Sequence, residues 1–113
     1  MRLGYRFYLD NAHTVPTVPK CARLHGHTYE VEVQVDGEIG ADGMVLEFGA
    51  FKEKAWNEVL ARYDHVYLNE VMADVPTVEN ITRLLHAELA RAFPGFDLRL
   101  RVHEGHGKYA EFP

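Results

Sequence analysis

The sequence predicts an α+β fold: an antiparallel sheet with two helices packed on one of its faces, in the order β-β-α-α-β-β. Two observations carry this. Three stretches alternate apolar and polar residues with a period of two, as half-buried strands do, and two longer stretches repeat their apolar residues with the helical period. The first strand covers residues 2–9, where Leu3, Tyr5, Phe7 and Leu9 face away from Arg2, Gly4 and Arg6. Residues 14–24 hold two prolines and read as a loop. The second strand, residues 27–36, sets Tyr29, Val31, Val33 and Val35 against Glu30, Glu32, Gln34 and Asp36. A glycine-rich turn follows at 36–43, then a short extended piece at 44–48. Phe51, Ala55, Trp56, Val59, Leu60 and Tyr63 form the stripe of a first helix over 49–63. Val78, Ile81, Leu85, Leu89 and Phe93 do so for a second over 77–93, with Thr77 as its N-cap and Pro94-Gly95 as its stop. A third strand spans 97–103, and a short last one 108–112.

The gross numbers fit one domain, residues 1–113. The chain has 113 residues, 47% of them hydrophobic, and a net charge of −5. That is enough for a modest core, and a domain this small gains from oligomerisation. The negative balance argues against a nucleic-acid partner. No apolar run approaches 18 residues, so no membrane span is expected. The first residues alternate and do not resemble a secretion signal, and the single cysteine cannot close an internal disulfide. A cytoplasmic location is the expectation.

The histidines supply the chemistry. In a strand, residues of equal parity share a face. The apolar face of the second strand is odd-numbered, and His25 and His27 lie on its backward extension. The odd face of the first strand continues to Asn11 and His13. If the two strands are antiparallel neighbours, His13, His25 and His27 meet at one end of the helix-facing side. One buried histidine is usually a hydrogen-bonded core residue. Three with no common partner would leave several polar groups unmet, and a metal ion relieves that cost. Three imidazole nitrogens with an open fourth position suit catalytic zinc. Gly26, between two of them, would leave space beside the ion. Cys21 is open to three readings: a small buried apolar residue, a fourth ligand closing a structural site, or a reactive thiolate. Asp64 and His65 are adjacent, an arrangement that orients an imidazole. Glu104 shares parity with Leu98, Leu100 and Val102; a carboxylate on that side could accept paired N–H donors from a guanidine-like ring edge. His106 and Lys108 lie in the following loop, in reach of an anionic ligand or of solvent. Arg2, Arg6, Arg99 and Arg101 share the other face with Glu30 and Glu32 and are expected to pair across strands.

Taken together, "AH" at 12–13, "CARLHGH" at 21–27, "GMVLEFGAFK" at 43–52, "YDHVYLN" at 63–69, "PTVEN" at 76–80 and "HE" at 103–104 resemble the 6-pyruvoyltetrahydropterin synthase / 6-carboxytetrahydropterin synthase family, over nearly the whole chain. The three-residue gap between Cys21 and His25 is similar to the bacterial carboxytetrahydropterin branch of queuosine biosynthesis. The resemblance implies the tunnelling fold, with subunits forming barrel trimers that stack into a homohexamer. It implies a lyase in which His13, His25 and His27 bind Zn2+, Cys21 is the general base supported by Asp64 and His65, and Glu104 anchors a pterin ring with Thr77 nearby. The implied substrate is 7,8-dihydroneopterin triphosphate. The implied products are 6-carboxy-5,6,7,8-tetrahydropterin, acetaldehyde and triphosphate; the pyruvoyl synthase reaction on the same substrate is the alternative, and a structural zinc protein the non-enzymatic one. Two positions depart from the family pattern: Glu47, where aspartate is more frequent, and Gly105, where threonine or serine is common.

Overall fold

The computed structural model describes residues 1–113. The order is β1 (Arg2–His13), β2 (His25–Asp36), α1 (Phe48–Glu58), a 3-10 turn (Leu60–Tyr63), a short α2 (Leu68–Val71), α3 (Val78–Ala92), β3 (Asp97–Glu104) and β4 (Tyr109–Phe112). The four strands form one antiparallel sheet in the order β1-β2-β3-β4. Both long strands run further than the alternation of residues 2–9 and 27–36 suggested. Asn11 pairs with His27 and His13 with His25 in the ladder, so polar residues continue a strand that the apolar signal had already left.

Register explains the two faces. Leu3–Val35–Leu98, Tyr5–Val33–Leu100 and Phe7–Val31–Val102 stand in rows on one side. Most of them join Phe51, Ala55, Leu85 and Leu89 of the helices in a core cluster of 20 buried residues. Each large aliphatic side chain buried there is worth about 1.5–3 kcal/mol. The other face carries the charges. Arg6 lies 3.5 Å from Glu32 and 3.7 Å from Glu30, as expected. Arg2 instead bonds Asp36 at 3.0 Å, and Arg101 bonds Glu111 of β4 at 2.7 Å, because these carboxylates sit directly opposite in the ladder.

Two expectations are corrected. Residues 44–48 are not an extended piece. They are an irregular approach to α1, and the Glu47 carboxylate caps that helix by accepting from the Gly49 and Ala50 N–H groups at 2.8 and 2.7 Å. The first helix also stops at Glu58, and the chain tightens into the 3-10 turn that buries Leu60 and Tyr63. Thr77 caps α3 as predicted, accepting from the Asn80 N–H at 3.2 Å. No helix is long and apolar enough to cross a membrane.

Candidate active site

The parity of β1 and β2 brings His13, His25 and His27 to one end of the helix face. Their ligand atoms all lie within 4.8 Å of one another. His13 is 1% exposed, and the other two are half-buried. The ring protons can be placed by chemistry. A carbonyl only accepts, so the 2.8 Å contact from His13 Nδ1 to the Pro76 carbonyl puts the proton on Nδ1. The 2.7 Å contact from His25 Nδ1 to the Arg23 carbonyl does the same. Both Nε2 atoms are then bare, yet they face each other at 3.0 Å. The Nε2 of His27 is buried and has no hydrogen-bond partner. A proton could serve two of these nitrogens; a metal ion serves all three. Burial holds His27 below the ordinary imidazole range, with Glu104 pulling the other way, so the ring stays neutral, as ligation requires. The donor set fits a zinc-type ion with an open position.

Glu104 ends β3 opposite Tyr29 and brings Oε1 to 3.7 Å from His27 Nε2 and 3.9 Å from Lys108. Gly105 and Gly107, both at positive φ, let the chain turn back there so that the Glu104 N–H meets the Lys108 carbonyl. Thr77 follows Pro76, the residue that holds His13, and so stands beside the cluster. Cys21 is half-buried in the loop after β1, its backbone tied to Val18 and Val15, and it does not join the metal-binding group. Gly26 does not leave room beside the ion: it has the parity of the polar face, where a side chain would press on the Asn11 carbonyl at 3.3 Å.

The Asp64–His65 pair lies along the outer edge of β1. Asp64 Oδ2 is 2.9 Å from His65 Nδ1, while its Oδ1 accepts from the Asp10 N–H at 3.0 Å. The His65 N–H donates to the Asp10 carbonyl at 2.8 Å, which holds His65 at φ 55°, a costly conformation for a residue with a side chain. His65 of the pair opens on a cavity of about 560 Å³ shared with Asp10, Ala12, Gly26, His27 and Thr28. His65 is raised above its ordinary value by the hydrogen bond and then the charge of Asp64. A raised value means that the pair's contribution to stability is fully present below the ordinary imidazole value of about 6.5 and is lost as pH climbs through the folded value. Asp64→Asn should return His65 toward about 6.5 in an NMR titration of its ring; an unchanged titration would show that Asp64 does not hold it.

The sequence reasoning missed three supports. Asn11 accepts the Val66 N–H, and Asn69 clasps the Thr14 backbone by both amide atoms, so the segment after the 3-10 turn is sewn to the end of β1. Tyr29 was read only as a core residue, and its hydroxyl lies 3.2 Å from His13 Nδ1. Asn11 had a signal, its odd parity; Asn69 and Tyr29 had none without the fold.

A family model described as 6-pyruvoyl tetrahydropterin synthase matches residues 2–113. The chain belongs to that family. A 6-carboxy-5,6,7,8-tetrahydropterin synthase of Synechocystis is 34% identical over 93 residues, covering 76% of this chain and 72% of the relative. A dihydroneopterin monophosphate aldolase of Pyrococcus furiosus is 39% identical over 100 residues, 88% of this chain and 83% of the relative. Among solved structures, the 6-pyruvoyl tetrahydropterin synthase of Caenorhabditis elegans superposes with a TM-score of 0.88 over 99% of this chain and 94% of that one, at 20% identity. The fold is therefore the tunnelling fold, and the chain is a pterin synthase-type enzyme with a group of three histidines, His13, His25 and His27, able to hold a metal ion.

Proposed function

We propose that this protein is a zinc lyase that converts 7,8-dihydroneopterin triphosphate to 6-carboxy-5,6,7,8-tetrahydropterin, releasing acetaldehyde and triphosphate, an early step toward queuosine in the cytoplasm. One observation carries this reading. Three imidazoles bring one ring nitrogen each to within 4.8 Å of one another, and a carboxylate reaches to 3.7 Å from one of them, in a chain of this family. Zinc held by His13, His25 and His27 would supply a Lewis acid that acidifies the substrate side chain.

The chain's own residues do the rest. Glu104 accepts two N–H groups from the guanidine-like edge of the pterin and so fixes the ring, beside Thr77. Cys21, as thiolate, takes the proton from the activated side chain. His65, whose protonated form Asp64 favours, would supply a positive charge beside a nearby thiolate and a proton for the products.

Residues 1–113 act as one catalytic domain, assembled as a homohexamer of two barrel trimers. Support comes from the sheet, whose edges are β4 and the part of β1 before Asp10, and from an apolar hollow of about 440 Å³ that includes Met1, Ile39, Met44 and Phe48 beside β1. The histidine cluster lies on the helix face, whereas His65 opens mainly on residues of the polar face. In the assembled enzyme, Cys21 and the histidines of one subunit would therefore work with Asp64 and His65 of another.

Product analysis tests the assignment. Acetaldehyde marks the carboxy reaction. A pyruvoyl product without a two-carbon fragment marks the pyruvoyl reaction. The Pyrococcus relative gives a specific reason to include dihydroneopterin monophosphate as a second substrate; glycolaldehyde phosphate from it would assign a retro-aldol activity instead. The closed structural zinc site finds no support, because Cys21 lies outside the ligand group.

A further inference from the structure

The odd face of β2 is filled by Val31, Val33 and Val35, all fully buried, and then by Tyr29, 1% exposed. A phenylalanine would fill the same volume. The hydroxyl is the part that packing does not explain, because a buried phenol needs a polar partner. Its partner is the outer nitrogen of a metal-binding histidine: Tyr29 Oη lies 3.2 Å from His13 Nδ1.

Proton accounting fixes the sense of that contact. Nδ1 carries one proton, already directed to the Pro76 carbonyl at 2.8 Å. Tyr29 therefore accepts a share of the same N–H, and the ring is held between two oxygens. Its own proton therefore points away from His13. The ring also packs edge-on against both His13 and His27, at centroid distances of 6.1 and 5.7 Å.

We infer that Tyr29 is a positioning residue of the metal centre: its hydroxyl, with the Pro76 carbonyl, holds His13 with Nε2 turned inward. The inference rests on the proposed metal site and adds a residue to its support. Groups that orient a ligating imidazole in this way are commonly worth 10–100-fold in metal affinity.

The test is Tyr29→Phe, which keeps the ring and removes one oxygen. Zinc affinity is measured by competition with a chromophoric chelator, the visible spectrum of the cobalt-loaded protein is recorded, and the melting temperature of the metal-free protein is taken alongside. The inference predicts about 10–100-fold weaker zinc binding, a shifted cobalt spectrum, and a melting temperature close to that of the parent. Affinity within twofold of the parent, with an unchanged cobalt spectrum, overturns it. A lower metal-free melting temperature with unchanged affinity also overturns it, since the hydroxyl would then be only structural. A parent protein that binds neither ion would refute the metal site itself, a failure distinguishable from the first two.

Discussion

Replacing His25 with alanine should strip zinc from the protein and leave it folded. His25 is half-buried at the first position of β2 and stands outside the core cluster, so its removal opens little apolar space. It supplies one of three nitrogens, and losing a direct ligand should weaken binding more than the 10–100-fold typical of supporting groups, by about a thousandfold or more. The metal-free form offers a sharper signature. In the parent, two bare Nε2 atoms face each other at 3.0 Å, and the third nitrogen is buried without a partner. Alanine at position 25 removes that opposition, so the metal-free variant should be at least as stable as the metal-free parent. Metal analysis and paired thermal melts read both effects. A variant that keeps its zinc, or a metal-free variant that melts well below its parent, would contradict the site.

Cys21→Ala should do the opposite: zinc content stays and turnover is lost. The thiol lies outside the group of nitrogens that lie within 4.8 Å of one another, so binding does not need it. As general base it would contribute about 10²–10⁴-fold. With kcat reduced on that scale and zinc content equal to the parent's, the base assignment stands. Zinc lost together with the thiol would make Cys21 a ligand. The two variants thus separate the metal's holders from the group that moves the proton.

The histidine cluster was legible in the sequence because strand parity is rigid. Once Tyr29, Val31, Val33 and Val35 define the buried face, His25 and His27 have no other side to occupy. The ladder pairing of His13 with His25 then follows from two antiparallel strands joined by a loop. Thr77 was legible for a similar reason, since capping is local chemistry. Glu47 was not. A carboxylate three residues before a helix interior reads equally as part of an extended stretch, and only the helix's actual start at Phe48 makes it a cap. The dyad was half-legible. Adjacent Asp64 and His65 are visible in the chain, but their anchorage to Asp10, more than fifty residues away, depends on the edge of β1 being free to receive them. Tyr29 shows the same limit: alternation reports that a side chain is buried and says nothing of what its hydroxyl meets.

The central claim is metal-dependent pterin chemistry, and one measurement addresses it directly. The zinc-loaded protein is incubated with 7,8-dihydroneopterin triphosphate, and acetaldehyde, triphosphate and pterin products are quantified before chelation, after it, and after zinc is restored. The account predicts acetaldehyde and triphosphate in equal amounts with 6-carboxy-5,6,7,8-tetrahydropterin, loss of all three on chelation, and recovery with zinc. Substrate left intact by a protein shown to carry its zinc, or turnover indifferent to chelation, would contradict it.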